Sequence, residues 1–148
     1  MKSGKGIFGK LLGGLLLAMV VLSAVPSQAL AYTMDIRNPY SDKMAVAVID
    51  YEDQAGTWRC HGWFEVQPLS TRRLNISSST SKNHIYLFVK TSEAAWGGEG
   101  IPSSVVRTVN SNAFSYYDGQ ACPAGPNRRQ EFFTKYELND GFLYWAPE

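Results

Sequence analysis

The chain has 148 residues, a formal net charge of +1 and 45% hydrophobic residues, enough for one domain with a modest core and too few for two. Three of its positive charges are Lys2, Lys5 and Lys10; the 11 basic residues that remain face 13 acidic ones, a net of −2. That balance argues against a nucleic-acid binder, which normally shows a basic patch or stripe, and the pairs Arg72-Arg73 and Arg128-Arg129 read as solvated strand ends.

In chain order, the three lysines form a positive n-region and Leu11 to Val25 an apolar h-region. Pro26 ends it, and Ala29-Leu30-Ala31 sets small residues where signal peptidase reads them. Residues 1–31 are therefore expected to be a cleaved signal peptide, with the mature domain at 32–148. The apolar run of about 15 residues is shorter than the ~20 that span a bilayer, so no stable membrane insertion is expected after cleavage. Export to the periplasm or beyond the cell follows.

The mature region reads as strands. Lys43 to Tyr51 is apolar on both faces, as a central strand would be. Glu52 to Gly56 makes a turn, and Thr57 to Val66 returns, with strict alternation placing Trp58, Cys60, Phe64 and Val66 on one face and Arg59, His61, Trp63 and Glu65 on the other. Ser70 to Ile76 is a short edge strand, Ser77 to Asn83 a polar loop, and His84 to Thr91 a strand. Glu93 to Ser104, with Trp96 and three glycines, reads as too broken for regular structure. Ser104 to Asn110, Ala113 to Tyr117 and Arg129 to Leu138 complete the pattern. After the Asn139-Asp140-Gly141 turn, Phe142 to Trp145 is expected to pair back as a hairpin. Seven or eight short strands without crossover helices predict an all-β fold, an antiparallel β-sandwich or small barrel.

Arg37-Asn38-Pro39-Tyr40, the apolar strand ending at Tyr51, Trp58, Gly62-Trp63-Phe64, Pro68, the strand Ile85 to Val89 and Trp96 follow one another in an order that resembles the uncharacterised bacterial family called domain of unknown function 1036. The resemblance spans nearly the whole mature region. It implies a bacterial exported domain and brings no assigned activity.

An even cysteine count in an exported chain suggests that Cys60 and Cys122 form a disulfide, which on the chain-entropy model would stabilise the fold by roughly 4 kcal/mol. Two separate thiols or a bond between chains are the alternatives. A zinc site from Cys60, His61, His84 and Cys122 is disfavoured, because adjacent strand residues point to opposite faces, and no cofactor is expected. No Gly-x-Ser-x-Gly elbow supports a serine hydrolase, and Glu65, Glu93 and Glu99 form a glycosidase pair only if the fold brings two of them together.

The aromatics are the stronger signal. Of 19 Phe, Trp and Tyr residues only Phe8 precedes residue 32. Trp63, Trp96 and Glu99 are the candidate binding residues, since rings flanked by acceptors suit a protein or glycan partner of the cell envelope. Core packing is the competing role for both tryptophans. The expected function is a non-enzymatic binding or envelope-interaction module. A hydrolase of envelope or extracellular polymer and a self-assembling surface protein are the alternatives.

Overall fold

The computed structural model describes residues 32–77 and 82–148; the expected signal peptide and most of the Ser77 to Asn83 loop lie outside them. The described residues form ten strands and no helix: β1 (Tyr32–Arg37), β2 (Met44–Glu52), β3 (Thr57–Val66), β4 (Thr71–Ile76), β5 (His84–Lys90), β6 (Ala95–Trp96), β7 (Val105–Val109), β8 (Phe114–Tyr117), β9 (Arg129–Glu137) and β10 (Phe142–Trp145). They make a three-stranded sheet, β10-β1-β4, and a seven-stranded sheet, β7-β9-β5-β2-β3-β8, with β6 added to β5. The all-β expectation holds, as a curled sheet capped by a smaller one.

The double-sided apolar pattern of β2 explains this arrangement. Met44, Val46 and Val48 pack toward the small sheet, against Met34 and Ile36 of β1, Leu74 and Ile76 of β4, and Trp145 of β10. Ala47 and Ile49 face the other way, into the hollow of the curled sheet with Cys60, Phe88, Val109, Phe114, Tyr116, Cys122 and Phe133. The central strand thus contributes to two cores, and each of its fully buried aliphatic side chains adds about 1.5–3 kcal/mol. The curl brings the outer strands β7 and β8 together, where the Tyr116 hydroxyl donates to Thr108 O at 2.7 Å.

Four expectations are corrected. Strict alternation along β3 breaks at Gly62. A register shift opposite Val46 and Ala47 pairs Ala47 with Gly62 and Val46 with Phe64, so Trp63 is the extra residue. Trp63 therefore joins Trp58 and Cys60 in the curled interior, while Phe64 and Val66 turn to the small sheet. The approach there is close: a Cβ on Gly62 would lie 3.1 Å from Ala47 Cα.

Second, β10 does not fold back on β9. It pairs in parallel with β1, Thr33 beside Phe142 and Ile36 beside Trp145, so the fold is not wholly antiparallel. Gly141, at φ +76° with Tyr32 stacked where a side chain would go, turns the chain toward the small sheet. Its carbonyl then accepts the Thr33 N–H at 2.9 Å. Burial of Trp145 in the core between the sheets favours this route over a hairpin.

Third, there are ten strands rather than seven or eight. Tyr32–Arg37 is a strand with alternate residues buried. Ala95–Trp96 pairs with β5 inside the stretch expected to be irregular.

Fourth, Cys60 and Cys122 are separate buried thiols, not a disulfide. Each has its own neighbour: Cys60 lies opposite Tyr116 in the β3–β8 register, and Cys122 Sγ lies 3.6 Å from the Asn110 amide. Burial pushes the Cys60 pKa up to about 12.

Candidate functional site

Trp96 is positioned by the turn between β5 and β6. Thr91 N–H donates to Ala94 O at 2.8 Å, and the Ala94 N–H returns to the Thr91 hydroxyl at 3.1 Å. The turn is tied from outside, where the Asp42 carboxylate accepts both the Ser92 N–H, at 2.8 Å, and the Ser92 hydroxyl. Those hydrogen bonds hold the Asp42 pKa below the ordinary carboxylate value. The two-residue β6 then sets Trp96 beside Val89.

A fully buried asparagine aligns the opposite wall. Asn38 accepts the Tyr40 N–H at 3.0 Å and donates to the carbonyls of Asp42, Val66 and Gln67 at 2.7, 3.1 and 3.2 Å. Tyr40 and Asp42 are thus placed by one buried side chain, whose truncation would leave several polar groups unpaired. Tyr40 stacks on Trp96 with centroids 5.7 Å apart and planes 20° apart. Trp145 meets the same indole nearly at right angles, at 6.2 Å and 78°.

Two clefts share Trp96 as a wall. The larger, about 340 Å³, is lined by Trp96, Tyr136, Tyr144, Trp145 and the segment Ala146 to Glu148. The smaller, about 210 Å³, lies among Tyr40, Ser41, Asp42, Thr91, Glu93 and Ala94. Asp42, Glu93 and Glu148 are the charged residues of the two linings, and no lysine, arginine or histidine is among them. The larger volume falls within the range of small-ligand sites.

The other two candidates sit elsewhere. Trp63 is part of the curled interior: its indole N–H donates to Asn110 O at 2.8 Å, and its ring meets Phe114 and Phe88 edge-on. The Lys90 ammonium lies 4.3 Å from its centroid. Glu99 is exposed and lines a different hollow of about 200 Å³ with Glu131 and Phe132. Trp96 instead gathers Tyr40, Tyr136, Tyr144 and Trp145, four rings whose convergence depends on pairings of β1, β5, β9 and β10 that local sequence does not specify.

A second polar cluster lies on β2 and β3. The Asp50 side chain is completely buried, accepts from Arg59 Nε and Nη2 at 3.3 and 3.2 Å, and also accepts the Ser77 N–H at 2.8 Å. His61 Nε2 is 3.1 Å from Asp50 Oδ1 but out of hydrogen-bond alignment. Burial raises the Asp50 pKa, and the contacts with His61 and Arg59 outweigh it, leaving the value below that of an ordinary aspartate. Glu52 extends the cluster, accepting from the Tyr117 hydroxyl and lying 3.9 Å from Arg59. These bonds tie β2, β3 and β8 together and anchor the chain leaving β4. Glu65 pairs with Lys43 and is not among the residues that line the hollow beside Glu99. Among the described residues, no group of three His, Cys, Asp or Glu side chains is placed to hold a metal ion, and no helix is long and apolar enough to cross a membrane.

No protein-family model, curated protein or solved structure matches the chain.

Proposed function

We propose that the protein is an exported, non-enzymatic binding module of the bacterial cell envelope, and that its protein or glycan partner is held at the clefts around Trp96. The observation that carries this reading is the convergence of five rings from four separate segments on two adjoining clefts, with Asp42 and Tyr40 held in place by the buried Asn38. A core needs no such opening, and rigid rings offer contact area with few rotamers to freeze. The export leader expected at residues 1–31 and the family resemblance supply the bacterial envelope as the setting.

Retention of the full chain on isolated envelope material tests the reading, with Tyr144→Ala and Tyr40→Ala beside it. Tyr144 is 57% exposed and Tyr40 38%, so Tyr144→Ala should leave the melting temperature unchanged, Tyr40→Ala should lower it slightly by removing the stack on Trp96, and both should abolish retention. Retention that survives both substitutions would place the site elsewhere.

A second reading, hydrolysis of an envelope polymer, draws on the Asp50–His61 approach and on Ser115, which lies opposite His61 in the β3–β8 register. Polymer cleavage that is lost in Ser115→Ala with the fold intact would favour it.

A further inference from the structure

We infer that the larger cleft beside Trp96 takes a trimethylammonium group, so that the ligand is a choline-like cation. The inference rests on the reading of that cleft as the binding site and names the chemistry it selects.

Ring geometry is the first support. Tyr40 is stacked on Trp96 at 5.7 Å, and Trp145 stands across it at 78°. Trp96 and Trp145, in crossed planes, line a half-open cleft of about 340 Å³ together with Tyr136 and Tyr144. The cleft admits a compact group. A trimethylammonium is such a group, has no N–H to satisfy, and presents positively polarised methyls to the negative faces of the rings.

Charge is the second. Glu148 lines the larger cleft, and Asp42 and Glu93 line the smaller one on the other side of Trp96, with no basic side chain among the lining residues. Asp42 is held ionised by its Ser92 hydrogen bonds. The lysines adjacent in sequence to lining residues are engaged elsewhere: Lys43 is 3.5 Å from Glu65, Lys90 lies over Trp63, and Lys135 is 3.1 Å from Glu137. The local field therefore attracts a cation and repels an anion. A primary ammonium fits less well, since its strong hydration and three donors call for close oxygen partners that aromatic walls do not supply.

Calorimetric titration of the full chain with choline chloride tests the inference, alongside the neutral isostere in which carbon replaces nitrogen, and phosphocholine, the esterified form carried by lipids and polymers. Choline should bind saturably and roughly tenfold more tightly than the isostere, the size of a well-desolvated cation–π contact. Tyr144→Ala should weaken choline several-fold without changing the melting temperature, and Glu148→Gln should weaken choline but not the isostere. Either choline or phosphocholine binding at Tyr144 supports the inference, and their order identifies free cation or ester as the form recognised. Equal binding of choline and isostere, or no binding of either choline form, overturns it. If envelope retention stays sensitive to Tyr144→Ala in that case, the cleft is the site and the ammonium chemistry is wrong. If retention is insensitive as well, the site itself is wrong.

Discussion

Trp63 and Trp96 are both half-buried indoles on strands, and their surroundings give them different work. Trp63 is the extra residue of a β-bulge, hydrogen-bonded through its N–H to Asn110 and closed in by Phe88 and Phe114. Trp96 lies on the two-residue strand β6, stacked on one exposed ring and facing two clefts. The first region is a packed interior in which the Trp63 N–H finds its acceptor. The second is an opening that a buried asparagine keeps in shape. Half-burial alone therefore does not separate packing from binding; what matters is whether the neighbours close over the ring or leave space beside it.

The sharpest break of this contrast concerns the thiols. With the Cys60 pKa at about 12, its thiolate fraction at neutral pH is lower by roughly a thousandfold than that of an ordinary cysteine. Intact-mass measurement of unreduced protein should show both thiols present, with iodoacetamide labelling slow in the native state and fast after denaturation. Rapid native labelling of either would mean that the curled interior is not closed.

Truncation of the two indoles comes next. Trp63→Ala should lower stability by about 3–5 kcal/mol, through lost packing and an orphaned Asn110 carbonyl. Trp96→Ala should lower it by roughly 1–2 kcal/mol, because clefts rather than packed side chains flank part of that ring. Denaturant titrations of the two variants read the difference, and equal losses would erase the distinction between the regions.

Asp50 gives a smaller, pH-dependent effect. Its folded pKa lies below the ordinary value of 3.8, so the unfolded state binds its proton first as pH falls. The stabilisation is full above about pH 4 to 5 and is lost as pH drops through the folded pKa. Asp50→Asn should lower stability at neutral pH by about 1.5–3 kcal/mol, the scale of hydrogen bonds to a charged group. It should also flatten the acid limb of the stability curve. An unchanged acid limb would mean that the Arg59 and His61 contacts do not hold the carboxylate. The smallest expected change is in the stability of Tyr144→Ala, within about 0.5 kcal/mol of the parent, in a variant that nonetheless loses binding.

Much of the strand layout was legible because alternation and turn residues are local signals. The bounds of β3 and β10 follow from them, and the double-sided pattern of Met44 to Tyr51 identifies the central strand. Pairing partners are not local. Asn139-Asp140-Gly141 announces a turn without saying that β10 will join β1 in parallel. The bulge at Trp63 emerges only where β3 meets β2, and one extra residue there moves Trp63, Phe64 and Val66 to faces opposite those that strict alternation assigns. Even cysteine parity does not position two sulfurs, and Cys60 and Cys122 each found another neighbour. Trp96 was visible as a tryptophan among glycines. Its companions Tyr40, Tyr136, Tyr144 and Trp145 were not, because they come from segments far apart in sequence, and neither Asn38 nor Asp50 carries any local mark of complete burial.

The most direct measurement is a titration of the full chain, with nitrogen-labelled tryptophan side chains, by choline chloride, following the four indole N–H signals assigned by single Trp→Phe variants. The account expects the Trp96 and Trp145 signals to shift saturably together while those of Trp58 and Trp63 stay in place. Saturable shifts confined to Trp58 and Trp63, or no shift at Trp96 when choline binds, would contradict it.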